Sequence, residues 1–94
     1  MIEQGATYVV MGLLDPDSIA YSVGRDIKKL GGNVIFTAQN ERLKSIFFDR
    51  SKKLQAGEAE NLRIEYCDVT KEEEVRDLFA KVGPVAGVVH SIGY

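Results

Sequence analysis

A glycine and a serine stand at the first place in the chain where chemistry could occur. Gly12 follows the apolar run at 8–11, and Ser18 opens a helical pattern in the spacing G-x5-S-x-A. A glycine lets the backbone turn sharply, and the amides that begin the next helix can hold a phosphate to which a serine hydroxyl donates. This short pattern is not specific, because an ordinary turn followed by an N-cap serine fits it equally well. It defines a candidate anion site with that alternative open.

Two more polar residues follow later apolar runs. Gln39 comes after the run at 33–37, where dinucleotide-binding folds contact the adenosine ribose, and no basic residue follows it before Arg42. A neutral amide suits a free 2′-hydroxyl, so this position favours NADH over NADPH. Asp68 follows the run at 62–66 and could accept a hydrogen bond from the adenine amino group. The alternatives are that Gln39 caps the second helix and that Asp68, with Thr70, caps the third.

The remaining reactive side chains give no catalytic site. Cys67 is the only cysteine, and we expect a small buried apolar residue rather than a nucleophile, because no base stands near it in sequence. His90 is the only histidine and has no second histidine or cysteine cluster beside it, so no metal site is expected. Gly93 would let the backbone approach a cofactor closely.

These residues are separated by alternating strand-like and helix-like segments. Continuous apolar runs at 8–11, 33–37 and 85–90 are typical of strands covered on both faces. The run at 62–66 alternates apolar and charged residues, which indicates an edge strand or one wet face. The sequence therefore predicts four strands. Three are covered on both faces, and the third is an edge strand or has one face exposed to water.

Amphipathic spacing predicts helices over 18–30, 41–55 and 71–81. In the third, Thr70 at the N-cap and Glu73 three residues later fit a capping box. In the first, the residues expected on the buried face are Ile19, Val23, Ile27 and Leu30.

The order βαβαβαβ predicts an α/β fold, a Rossmann-like doubly wound parallel sheet with the strand order 3-2-1-4. Arg63 and Glu65 suit an edge strand, and the uncharged first strand suits the centre. The fourth strand would form a bare apolar edge, so we expect an incomplete sheet that dimerises, aggregates or needs a partner. Residues 1–94 are interpreted as a single N-terminal dinucleotide-binding half of a Rossmann domain.

Composition excludes several classes of protein. The chain has 94 residues, 28% of them charged, a net charge of −2 and one cysteine. This balance argues against binding to nucleic acid, insertion into a membrane and an internal disulfide framework. A cytoplasmic location is the expectation.

Several segments together resemble one family. The chain resembles the N-terminal part of bacterial enoyl-acyl-carrier-protein reductases, the divergent branch of the short-chain dehydrogenase/reductase superfamily. The resemblance spans almost all of the sequence. The motifs that carry it are Gly12-x5-Ser18-Ile19-Ala20-Tyr21, Ile35-Phe36-Thr37-x-Gln39-Asn40-Glu41-Arg42-Leu43-Lys44, Cys67-Asp68-Val69 and Val89-His90-Ser91-Ile92-Gly93.

The resemblance implies an NAD cofactor held by residues from all four segments. The implied contacts with the pyrophosphate and nicotinamide are Gly12, Ser18 and Ile19. The implied contact with the adenosine ribose is Gln39, and those with the adenine are Asp68 and Val69. The implied contacts with the central part of the cofactor are Ser91, Ile92 and Gly93.

The implied reaction is NADH-dependent hydride transfer to a trans-2-enoyl thioester on acyl carrier protein, a step of fatty-acid biosynthesis. In the family, a tyrosine and a lysine six residues beyond it stabilise the enolate, and Tyr94 is followed by no such lysine. We therefore assign no catalytic residue and expect this chain alone to be inactive. The family also implies a homo-oligomer.

Two alternatives remain open. Asp15 and Asp17 between Gly12 and Ser18 would repel a diphosphate, which favours a nucleotide-binding module without catalysis. The apolar fourth strand favours an interaction domain that docks through its edge.

Overall fold

Strands alternate with helices in the computed structural model, which describes residues 2–13, 19–45 and 62–90. The elements in chain order are β1 (Thr7–Met11), α1 (Ile19–Lys29), β2 (Asn33–Ala38), α2 (Glu41–Lys44), β3 (Arg63–Tyr66), α3 (Glu72–Val82) and β4 (Gly87–His90). Each expected strand is present, with ends that differ by one or two residues. The second helix was expected over 41–55, and everything beyond residue 45 of that segment lies outside the described residues.

The four strands form one parallel sheet in the order β3-β2-β1-β4. Val9 of β1 is in register with Ile35 of β2 on one side and with Val88 of β4 on the other. The α/β fold class, the parallel sheet and the order 3-2-1-4 are therefore confirmed. The buried, uncharged β1 lies at the centre, and β3, with its charged residues, lies at an edge.

Alternation along the strands creates two apolar layers. On one face, Val10 and Phe36 pack with α1, chiefly with Tyr21. On the other face, Val9 and Ile35 pack with α3 through Leu78 and its neighbours. Helices thus cover both faces, which is the doubly wound arrangement and explains why the central strands are apolar on both sides.

The predicted buried face of α1 is wrong at its two ends. Ile19 is 71% exposed and Leu30 is 61% exposed. Ile19 is the first residue of the helix and Leu30 lies one residue past its last. Val23 and Ile27, in the middle, pack into the core as expected.

Gly24 decides how α1 lies on the sheet. A Cβ atom at this position would be 2.1 Å from Cζ of Phe36, so only a glycine permits the observed approach of helix to strand. The face that meets the sheet consequently runs through Ala20, Gly24 and Ile27. A pattern search for large apolar residues does not detect such a face, because two of the three residues are small.

The capping box predicted for α3 is also wrong. The N-cap is Lys71, which makes no side-chain capping bond. The hydroxyl of Thr70 donates to Oδ1 of Asp68 instead, at 2.6 Å. Glu74, and not Glu73, is the glutamate that reaches back, and its Oε1 accepts from the N–H of Asp68 at 3.0 Å. The pattern T-x-x-E located the start of the helix and misplaced its first residue by one.

β4 is an edge strand rich in apolar residues. Val88 is 47% exposed, and β1 is the strand that pairs with β4 within the described ranges. The expectation that this edge associates with another strand stays a prediction. Across residues 2–13, 19–45 and 62–90, the helices are too short or too polar to cross a membrane.

Candidate functional site

The parallel sheet brings three of the candidate residues to one edge. Gly12 follows β1, Gln39 follows β2, and Asp68 comes two residues after β3. Because all four strands run in the same direction, their carboxyl ends share this edge. Open α/β sheets bind ligands there, at the point where the strand order reverses on either side of the first strand. The fold thus places these residues where a ligand site is expected.

The turn after β1 is held by the end of β2. Gly12 has φ +103°, which side chains of L-residues rarely adopt, so the sharp turn attributed to this glycine is present. The carbonyl oxygen of Thr37 accepts from the N–H of Gly12 at 3.2 Å and from the N–H of Leu13 at 2.8 Å. The Leu13 side chain is buried in the core on the α1 side of the sheet. This anchoring fixes where the chain leaves β1.

Gln39 and Asp68 lie close together. The Gln39 side chain is one of the groups that favour the ionised form of Asp68 and so lower the pKa of its carboxyl. The underlying backbone is also joined, because Ala38 is in register with Tyr66 and the N–H of Cys67 donates to the carbonyl of Ala38 at 2.9 Å. The two residues proposed for the ribose and for the adenine therefore belong to one polar cluster at the ends of neighbouring strands.

Several interactions stabilise the ionised form of the Asp68 carboxylate. Its Oδ1 accepts from the hydroxyl of Thr70 at 2.6 Å and from the backbone N–H of Thr70 at 3.0 Å. These bonds, followed by the polar side chain of Gln39 and by the positive charge of Lys71, hold the pKa of Asp68 below its ordinary value. Neither Asp68 nor Thr70 caps α3 with its side chain. The pair forms a turn that presents an ionised hydrogen-bond acceptor at the edge of the sheet.

Cys67 is buried in the layer beneath α3, as predicted. Burial raises the pKa of its thiol, and the negative charges of Glu74 and Asp68 raise it further. Because the thiolate is the reactive form, this cysteine is an interior residue and not a nucleophile at neutral pH.

Thr37 was not identified by the sequence analysis. Its side chain is 0% exposed, and its Oγ1 has no hydrogen-bond partner among the residues that the structure describes. Register places it between Met11 and Glu65, on the face that α3 covers. The signal in the sequence was a hydroxyl-bearing residue inside an otherwise apolar run. Because threonine is common in strands, this residue type does not by itself indicate an unusual position.

The other candidates are distributed as follows. Ile19 begins α1 and is largely exposed, and Val69 packs against the apolar layer that contains Cys67. His90 ends β4 and is exposed. Within the described ranges, the acidic, cysteine and histidine side chains form no group suited to a metal ion. The candidates that lie outside the described residues are Ser18, Ser91, Ile92 and Gly93.

Gly12, Gln39 and Asp68 fit one end of a dinucleotide. An ionised carboxylate can accept from an adenine amino group, an amide can bond a ribose hydroxyl, and a positive-φ glycine gives backbone access to a phosphate. A family described as enoyl-(acyl carrier protein) reductase has a sequence model that matches residues 12–94.

Individual relatives agree with this match. The chain is 36% identical, over 95 residues, to the enoyl-acyl-carrier-protein reductase (NADH) of Bacillus cereus. This match covers 97% of the present chain and 36% of that protein. It is 33% identical to the enoyl-acyl-carrier-protein reductase (NADPH) of Staphylococcus aureus, with the same coverage. The chain therefore spans about a third of the length of the curated relatives it matches.

A solved structure of the same kind is similar in fold. The crystal structure of the Bacillus cereus enoyl-acyl-carrier-protein reductase with NADP⁺ and indole naphthyridinone matches with a TM-score of 0.64 and 32% sequence identity. The match covers 90% of this chain and 34% of that one.

Proposed function

This chain belongs to the enoyl-(acyl carrier protein) reductase family, and from that membership we propose that it binds NADH as the cofactor-binding N-terminal part of an enoyl-acyl-carrier-protein reductase. The observation that carries the proposal is the convergence of Gly12, Gln39 and Asp68 at the carboxyl edge of the parallel sheet, with Gly12 in the positive-φ turn. Residues 1–94 would then be one half of a Rossmann domain. The whole protein would act in the cytoplasm, in fatty-acid biosynthesis.

The residues at this edge would divide the cofactor among them. Asp68 would accept from the adenine amino group and Val69 would pack beside the ring. Gln39 would bond the adenosine ribose. The remaining proposed contacts, toward the pyrophosphate, the nicotinamide and the central part of the cofactor, are Gly12, Ser18, Ile19, Ser91, Ile92 and Gly93.

The role of this chain in the reaction would be binding and orientation. NADH supplies the hydride that reduces the double bond of a trans-2-enoyl thioester on acyl carrier protein. We propose that none of these residues stabilises the enolate and that the 94-residue chain alone does not reduce the thioester. The complete enzyme would supply a tyrosine and a lysine for that purpose and would be a homo-oligomer.

The choice of NADH rests on this chain's own residues. One relative is named for NADH and another for NADPH, so the family does not decide between them. Gln39 is neutral, and the Asp68 carboxyl, whose pKa is lowered, follows the neighbouring strand. A 2′-phosphate carries about two negative charges and suits such a position poorly.

A second candidate function is an interaction module without catalysis. The exposed Val88 in the edge strand β4 favours it, because apolar edge strands pair readily with other strands. This reading predicts a strong oligomer whose stability does not respond to nucleotide.

Amide proton–nitrogen NMR separates the two functions. We would titrate the chain with NADH and, separately, with NADPH. The proposal expects shifts at Gly12, Gln39 and Asp68, at lower concentrations of NADH than of NADPH. A dispersed spectrum that does not respond to either dinucleotide would contradict it and leave the interaction module.

A further inference from the structure

The two backbone amides that the structure describes in the turn after β1 are both already bonded. We propose that Gly12 admits the pyrophosphate of the cofactor by close approach alone, and that Thr37 is the positioning residue that keeps the donors of this turn. The inference rests on the proposed function, because it concerns the same cofactor site. It separates two possible roles of a glycine beside a diphosphate, which can donate its N–H or can leave room for the phosphate oxygens.

The donors of the turn can be counted, because each backbone N–H carries one hydrogen. The N–H of Gly12 and the N–H of Leu13 both donate to the carbonyl oxygen of Thr37, at 3.2 and 2.8 Å. An ionised pyrophosphate presents acceptor oxygens and no donors, so it can hydrogen-bond backbone only through an N–H. Either amide would therefore have to leave Thr37 before it could bind the cofactor.

Two features of the interior keep these bonds closed. Thr37 is 0% exposed, so its carbonyl would stay buried after losing these donors, and a buried acceptor without donors is costly. The side chain of Leu13 is 2% exposed and belongs to the apolar cluster that contains Ala20 and Tyr21 of α1. Turning the N–H of Leu13 toward a cofactor would pull this side chain out of the core.

Gly12 serves the cofactor through the side chain that it lacks. Its φ of +103° lies in the region that L side chains rarely adopt, so the turn itself requires a glycine. Without a Cβ atom, the backbone after β1 can lie against the phosphate oxygens, as glycines of dinucleotide-binding folds do. The pyrophosphate takes its hydrogen bonds from other groups of the protein, and not from Gly12 or Leu13.

Scalar couplings across hydrogen bonds test this donor count directly. We would record them by NMR between the amide nitrogens of Gly12 and Leu13 and the carbonyl carbon of Thr37, with and without saturating NADH. We expect the couplings of the free chain to persist when NADH binds, with no coupling to phosphorus at either amide. Loss of these couplings on binding, their absence from the free chain, or a phosphorus coupling at Gly12 or Leu13 would overturn the proposal.

The variant Gly12→Ala keeps the N–H and adds a Cβ atom, so it tests the close approach. We expect the dissociation constant of NADH, measured by titration calorimetry, to rise about tenfold, because a methyl group would intrude on the contact with the phosphate. Gly5→Ala is the matched control, since Gly5 also has a positive φ, +79°, and precedes β1 at the opposite end of that strand. None of the described heavy atoms lies within 4 Å of a Cβ atom there, so NADH binding should be unchanged.

An equal rise in both variants would overturn the proposal, because backbone strain alone would then explain the loss of binding. An unchanged dissociation constant in Gly12→Ala would also overturn it. If Gly12→Ala does not fold, the couplings of the wild type decide the proposal by themselves. A wild type whose Gln39 and Asp68 amides do not respond to NADH would contradict the proposed function, and with it the inference, even where the couplings to Thr37 are present in the free chain.

Discussion

The backbone N–H of Leu13 donates to the carbonyl oxygen of Thr37 at 2.8 Å, so the chain leaving the central strand is tied to the end of its neighbour. The N–H of Gly12 shares the same acceptor at 3.2 Å. Any shift of β2 along β1 would therefore move the turn as well. The turn that would approach the phosphates and the strand end that carries Gln39 are mechanically one unit.

The backbone carbonyl of Thr37 anchors the turn after β1, whereas its side-chain hydroxyl lowers the free energy of unfolding. The hydroxyl is fully buried and has no partner within residues 2–13, 19–45 and 62–90. We expect Thr37→Val to raise the free energy of unfolding by about 1 kcal/mol, because it replaces an unsatisfied polar group with a methyl of similar size. Urea unfolding followed by circular dichroism measures this. Thr37→Ser is the control, since it keeps the hydroxyl, loses the methyl and should be less stable than wild type. Destabilisation by Thr37→Val would show that the hydroxyl has a partner.

The approach of α1 to the sheet depends on Gly24. Gly24→Ala would place a Cβ atom 2.1 Å from Phe36 Cζ. We expect it to lower the free energy of unfolding by about 2 kcal/mol, because overpacking a core outweighs the better helix propensity of alanine. Ser22→Ala, at an exposed position two residues earlier, gains propensity without a clash and should add about 0.5 kcal/mol. If both variants were stabilised alike, the contact with Phe36 would not control this packing.

The ionisation of Glu65 makes the free energy of unfolding depend on pH. Its carboxylate accepts from Lys81 Nζ at 2.7 Å, and this bond, with the nearby Arg63, holds its pKa below the ordinary value. A lowered folded-state pKa contributes stability above the unfolded-state pKa and loses it as the pH falls through the folded one. We expect the free energy of unfolding to decline below about pH 4.5.

Urea titrations across this range measure the decline. The slope should be shallower in Glu65→Gln than in wild type, whereas Glu73→Gln, an exposed site on α3, should keep the wild-type slope. Identical slopes for Glu65→Gln and wild type would remove Glu65 from the explanation.

Cys67 can report on opening of the sheet. It is buried, and its thiol pKa is raised chiefly by that burial. We expect a thiol reagent at pH 7 to modify it only as fast as the protein unfolds, so the rate should rise with urea. Val88→Cys in a chain with Cys67→Ala gives an exposed thiol for comparison, which should react at once. Rapid modification of Cys67 in native conditions would contradict its place in the core.

The sheet could be predicted from the sequence, because burial leaves a direct pattern. Uncharged β1 had to be central, and Arg63 with Glu65 placed β3 at an edge. Helix faces were harder. Ile19 and Leu30 fit the spacing of a buried stripe, yet both are exposed, because one is the first residue of α1 and the other lies past its last.

The proximity of Gln39 and Asp68 could not be predicted from either residue alone. Both types are also ordinary helix caps, and only the register of β2 with β3 brings them to neighbouring strand ends. The cap of α3 was misplaced for a related reason. The Thr70 hydroxyl could cap a backbone N–H in the first turn of α3 or donate to the carboxylate of Asp68, as it does. Both partners are close in sequence, so the pattern alone does not distinguish them.

The strand order also sets the sequence in which this sheet can assemble. β1 is synthesised first, finds one neighbour in β2, and receives the other only when Tyr8 meets Gly87 near the far end of the described chain. During synthesis the apolar flank of β1 stays open until β4 has left the ribosome. Contacts so distant in sequence fold slowly, and the growing chain is most prone to aggregation in that interval.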